Sequence, residues 1–114
     1  MTPETILKNQ CRIILSQYGW ASFRLNVGTF LSKQDGHPVS TGLPEGFPDL
    51  MALKDGKTIF IETKIKPRKP TTKQIKTHDY LRSIGFDVLL IYSVDELIAY
   101  LNTHGNHTRA NTTA

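Results

Sequence analysis

Asp49, Glu62 and Lys64 carry the strongest chemical signal in the chain. They lie in PDLMALKDGKTIFIETK, where Asp55-Gly56 separates two apolar runs, and that dipeptide in that setting is a strong hairpin signal. If Asp55-Gly56 is a two-residue turn, Lys54 faces Lys57. The same register then sets Asp49 opposite Glu62, with Cβ atoms roughly 4.5–5.5 Å apart. Glu62 and Lys64 are two apart on one strand, so they share a face, together with Met51 and Phe60.

Two directly opposed carboxylates repel unless a cation sits between them. Lys64 offers one positive charge and a hard divalent ion would offer more; Mg²⁺ commonly takes one or two carboxylates and keeps several waters. An ion held there acts as a Lewis acid on a phosphoryl oxygen and acidifies a bound water. A neighbouring lysine can orient that water or stabilise transition-state charge. The chemistry of such a patch is attack on a phosphodiester. The same spacing also fits a half-exposed surface hairpin with a cross-strand ion pair.

The elements that must position these residues are legible around them. Thr2, Pro3 and Glu4 form a helix start, and Ile6, Leu7, Cys11, Ile14, Leu15 and Tyr18 keep helical spacing to Gly19. Residues 20–27 alternate as a strand, and 32–46, rich in glycine and proline, read as a long loop. Strands are predicted over 47–53 and 58–64. A helix runs from a Thr71 or Thr72 cap to Ile84, stopped by Gly85. FDVLLIY (86–92) is a strand whose nearly continuous apolar character implies cover on both faces. Ser93 caps a short helix, VDELIAYL. The order α-β-β-β-α-β-α predicts one α/β domain over residues 1–102, a central mixed sheet flanked by helices, with a polar, flexible tail over 103–114.

Bulk properties agree with a single soluble domain. The chain has 114 residues, 39% hydrophobic and 21% charged, enough for one core and too apolar for disorder. No apolar run reaches the roughly 20 residues of a membrane span, and the N-terminus lacks a signal-peptide core, so a cytoplasmic protein without a membrane partner is expected. Cys11 is the only cysteine, which excludes an internal disulfide and suits a buried structural thiol. The net charge of +4 permits a polyanionic partner. The cations concentrate in KIKPRKPTTKQIK, residues 64–76, which holds no acid.

Pro48-Asp49 followed by Glu62-Thr63-Lys64 resembles the PD-(D/E)xK signature of restriction-endonuclease-like nucleases. With Glu4 in the first helix, RLNVG at 24–28, Gly42 and Gly46 before PDL, Gln74 in the next helix and GFDVLLIYSVDEL closing the pattern, the chain is similar to the virus-type replication-repair nuclease (VRR-NUC) family in its minimal form. The resemblance spans roughly residues 4–101. It implies a restriction-endonuclease-like core and an Mg²⁺- or Mn²⁺-dependent endodeoxyribonuclease acting on branched DNA as a homodimer, as four-way junction resolvases do. A flap-directed or sequence-specific nuclease and a catalytically silent DNA-binding module are the alternatives. By the same resemblance, Asp49, Glu62 and the main-chain carbonyl of Thr63 are metal ligands. Glu4 approaches the metal directly or through water, Lys64 is the catalytic lysine, and Gln74 positions the lysine, the water or a phosphate. If the family includes phage proteins, the cytoplasm is the host's.

Several assignments have a plain structural counterpart. Glu4 also suits the helix dipole, and Gln74 also completes a capping box with Thr71. Lys66, Arg68, Lys69 and Lys73 are candidate phosphate contacts, although basic runs are often only solvated faces. Arg24 and Asn26 share a strand face and either meet DNA or face solvent. His78 lies four residues after Gln74 and so can border the site. His37 reads as a surface residue, and His104 and His107 as inert.

Overall fold

The computed structural model describes residues 1–25, 27, 29–31, 34–40 and 42–105. The elements are α1 (Pro3–Gln17), β1 (Ala21–Arg24), β2 (Thr29–Leu31), β3 (Pro38–Ser40), β4 (Leu50–Lys54), β5 (Lys57–Thr63), α2 (Thr72–Ser83), β6 (Asp87–Ile91) and α3 (Val94–Tyr100). A π-helical turn, Leu101–Gly105, continues α3 past residue 102. Among the described residues, no helix is long and apolar enough to cross a membrane.

Local chemistry accounts for the helix ends. Thr2 Oγ1 accepts from the Thr5 N–H at 3.2 Å, Pro3 fills the first helical position, and Glu4 lies in the positively polarised first turn. Leu7, Cys11 and Leu15, spaced by four, are buried along one face of α1. The helix ends at Gly19, whose φ of +85° lets the Trp20 N–H return to the Leu15 carbonyl at 2.9 Å. At α2, Thr71 and Gln74 form a reciprocal capping box.

The main sheet has the order β1-β4-β5-β6. β1/β4 and β4/β5 are antiparallel, and β5/β6 are parallel, with α2 as the crossover. Asp55 and Gly56 both have positive φ, 49° and 79°, which makes the β4–β5 connection the expected two-residue turn. The register runs from Lys54↔Lys57 to Leu50↔Ile61 as expected. Leu50, Ala52, Ile59, Ile61 and Ile91 face α1, α3 and the turn after α3, packing with Leu7, Cys11, Leu15, Leu97 and Leu101. Phe60 and Val88 face α2 and pack with Leu81, flanked by Leu25, Phe47 and Met51.

The α/β fold class is as the sequence predicts, with two strands more than the predicted four, β2 and β3. The segment 32–46, read as a loop, contains β3, which pairs with β2 as a separate two-stranded sheet. A three-residue strand is too short for an alternation signal to emerge from a glycine- and proline-rich background. β1 also ends at Arg24, short of the predicted 20–27. Residues 106–114, including His107, lie outside the described residues.

Ile61 is fully buried in the central strand against α1. Ile61→Ala is expected to cost about 2–5 kcal/mol, read as a lower urea midpoint with the slope unchanged.

Candidate active site

The register that pairs β1, β4 and β5 continues one step beyond the strands. The Leu25 N–H donates to the Asp49 carbonyl at 2.7 Å, and Glu62 pairs with Leu90 on β6. Leu25, Asp49, Glu62 and Leu90 therefore form one row across the sheet, on the face that meets α2. The next row is Phe23, Met51, Phe60 and Val88. An apolar row thus flanks the row that holds the two carboxylates.

Glu62 is 2% exposed. Burial pushes its carboxyl up to about 7, and the nearby Asp49, by charge and by a side-chain hydrogen bond, pushes the same way. His78 acts against this rise, with Nε2 3.4 Å from Glu62 Oε1. On the other carboxylate, Lys8 Nζ lies 3.4 Å from Asp49 Oδ2. The compensating groups thus come from α1 and α2. Lys64, expected to balance the pair, forms no ion pair or hydrogen bond through its ammonium among the described residues. Lys8 was missed in sequence, although its place four residues after Glu4 puts both on one helix face.

The loop before Asp49 is clasped onto the start of α2. Gly46 has φ +95°, and a Cβ there would lie 2.5 Å from the Lys73 carbonyl oxygen. Glu45 and Lys73 form an exposed ion pair at 2.8 Å beside this contact. Phe47 packs edge-to-face on Phe60, with ring centroids 5.5 Å apart, and Pro48 is buried. These contacts aim Asp49 at Glu62, while α2 brings down His78, itself 3% exposed.

The remaining candidates are placed as follows. Gln74 uses Oε1 to accept from the Thr71 N–H at 2.9 Å, so its carbonyl oxygen serves the helix cap, one turn from His78. Glu4 is half-buried and lines a cavity of about 290 Å³ with Ile65 and Arg68. Lys66 lies over the Tyr92 ring, 5.8 Å from its centroid, and Arg68 and Lys69 are exposed. Lys73 is committed to Glu45. Arg24 pairs with Leu50 and so belongs to the face opposite Glu62. Asn26 lies outside the described residues. His37 is exposed, and His104 stacks on Tyr100. Cys11 is fully buried, which pushes its thiol up to about 11, as a structural thiol requires.

The donor set suits a hard divalent ion. Among the described residues no three His, Cys, Asp or Glu side chains converge as a cage. Two adjacent carboxylates are nonetheless what an ion that retains most of its water needs. One of them is buried beside the other's charge, a frustration that a cation relieves. The residues present therefore fit Mg²⁺ or Mn²⁺.

Two outcomes test this geometry. Gly46→Ala should destabilise the protein by about 2 kcal/mol or more in denaturant unfolding, through both its φ and the backbone clash. The second concerns protons. In EDTA, folded Glu62 keeps a proton between about 4.5 and about 7 that the unfolded chain releases, so its contribution to stability falls as pH rises through that window. Glu62→Gln should thus melt progressively higher than wild type as pH increases, by several degrees at pH 8, measured by calorimetry. Parallel melting curves would contradict the assignment.

Compared with models of known protein families, the chain matches none. Over 51 residues it is 43% identical to "Putative nuclease p44" of Acyrthosiphon pisum secondary endosymbiont phage 1. That stretch covers 44% of this chain and 55% of that protein, so the chain spans about half the length of the relative it matches. A solved structure described as a VRR_NUC domain superposes with a TM-score of 0.68 at 20% identity, over 91% of this chain and 99% of that one. The sheet order, the α2 crossover and this superposition agree: the chain has the restriction-endonuclease-like fold of the VRR-NUC domain.

Proposed function

We propose that the protein is an Mg²⁺- or Mn²⁺-dependent endodeoxyribonuclease that hydrolyses phosphodiester bonds in branched DNA, with four-way junctions as its preferred substrate. The observation that carries this reading is the adjacent Asp49–Glu62 pair, Glu62 buried, with Lys64 one residue past the end of β5 and its ammonium unpaired among the described residues. The nuclease description of the phage relative supports it.

Asp49, Glu62 and the Thr63 carbonyl would hold the ion, and Glu4 would approach it from α1. When bound, the ion supplies Lewis-acid stabilisation of phosphoryl charge and a more acidic water. Lys64 places its ammonium where charge develops on the phosphate or holds the attacking water in line. Lys8 pairs with Asp49 and orients it, and His78 does the same for Glu62 through its ring nitrogen. The apolar row around Phe60 excludes bulk water from one side of the pair, which strengthens each of these interactions.

Lys66, Arg68, Lys69 and Lys73 would supply phosphate contacts, Lys73 by exchanging Glu45 for DNA. So small a core leaves little surface for reading base sequence, which favours recognition of DNA shape. Paired nicks in a four-way junction suit a two-fold dimer. The open edge of β6, the exposed Ile75 and Tyr80 of α2 and the exposed Ile84 just after it offer surface for one. The cytoplasm, the host's for a phage-encoded protein, is the compartment proposed with this activity.

Labelled four-way junction, flap and linear duplex DNA, each with Mg²⁺, Mn²⁺ or EDTA, test the reading. Symmetric paired nicks in the junction are expected, abolished by EDTA and lowered by about 10²-fold or more by Lys64→Ala. Cleavage confined to flaps would move the substrate class. Binding without cleavage under any metal would leave a DNA-binding module.

A further inference from the structure

A groove of about 610 Å³ follows the seam between α1 and the edge strand β1, lined by Asn9, Arg12, Ser16, Trp20 and Phe23 among others, with no acid in its wall. Within this wall, Arg12 Nε and Trp20 Nε1 are occluded from solvent and have no hydrogen-bond partner among the described residues. Trp20 is 3% exposed. A buried donor left without an acceptor is destabilising, so two in one groove need an explanation. Both side chains donate only, which means an acceptor completes the groove, and the Arg12 charge favours an anionic one.

Asn9 of the groove wall directly follows Lys8 in α1. Lys8, which reaches Asp49, precedes Arg12 by four residues on the same face of α1, a rise of about 6 Å. That distance is close to one phosphate step along a nucleic-acid strand. Phe23 is 47% exposed in the groove wall and offers a ring to a base.

We infer that the α1–β1 groove is a binding track for a DNA strand. The Arg12 fork turns onto a backbone phosphate adjacent to the one at the carboxylate pair, with Trp20 Nε1 as a second donor and Phe23 as a stacking surface. The direction of the track rests on the phosphodiesterase reading of Asp49 and Glu62; the groove's preference for a phosphate rests on its own donors.

Trp20 is the only tryptophan, so intrinsic emission reports on this groove. The experiment titrates wild type, Arg12→Gln and Trp20→Phe in EDTA with a short single-stranded oligonucleotide, a four-way junction and inorganic phosphate, following emission and, for labelled DNA, anisotropy. The expected result is a saturable emission change with DNA and little with inorganic phosphate. Arg12→Gln should abolish that change, weaken DNA binding by about fivefold to tenfold and lower the salt slope by about one. Trp20→Phe, which keeps a ring and removes the donor, should weaken binding by about threefold while unfolding normally. DNA that is bound and cleaved with Trp20 silent and Arg12→Gln unaffected would overturn the track and leave the endonuclease reading standing. An equal response to inorganic phosphate would also overturn it, in favour of a free-anion site. A Trp20 response to DNA that no metal converts to cleavage would keep the track and sink the endonuclease reading.

Discussion

The structure turns on one unfavourable contact, two carboxyl groups side by side in a sheet, one of them nearly sealed from water. Burial raises the cost of ionising Glu62, and the nearby Asp49 raises it further. An isolated protein has no reason to keep such a pair, since Ile or Leu at position 62 would pack against Phe60 and α2 without penalty. The arrangement makes sense only if something cationic completes it. Lys8 and His78 supply part of that compensation from the helices on either side.

Much of the remaining architecture serves to hold this pair in place. The two-residue Asp55-Gly56 turn sets the β4–β5 register, and the parallel β6 places Leu90 on the far side of Glu62. Gly46 allows the loop before Pro48 to press against the first turn of α2, where any Cβ would strike backbone. The capping box at Thr71 and Gln74 fixes the start of that same helix, and His78 follows one turn later. A rigid frame of this kind lets two carboxyl groups persist side by side, because relaxing them would break a strand, a turn and a helix cap together.

The carboxylate row also separates the two ends of the candidate site. Toward α2 it is closed by Phe60, Leu81 and His78, with little room for solvent. Toward α1, Lys8 covers Asp49, and the groove with Arg12 and Trp20 follows the same helix along the edge of the sheet. Positive charge reaches the site from α1 as well as from the run 64–76, in which Lys73 is engaged by Glu45 and Lys66 lies on an aromatic ring.

Several features were legible in sequence because they depend on short-range rules. The Asp-Gly turn dictates the register of its hairpin, and that register alone sets Asp49 beside Glu62. The Thr-x-x-Gln spacing announces the cap of α2, and the i, i+4 apolar stripe announces the buried face of α1. Tertiary structure decided what no local rule contains. Which side chain answers each carboxylate depends on how α1 and α2 pack across the sheet, so Lys8 and His78 took the places expected of Lys64. Strand β3 formed from a stretch that reads as loop, because three residues paired across a hairpin carry too little periodicity to be seen. The groove with its unpartnered donors arises where a helix meets a strand edge, from residues 9 to 23 whose proximity follows from the packing of two elements and from no pattern along the chain.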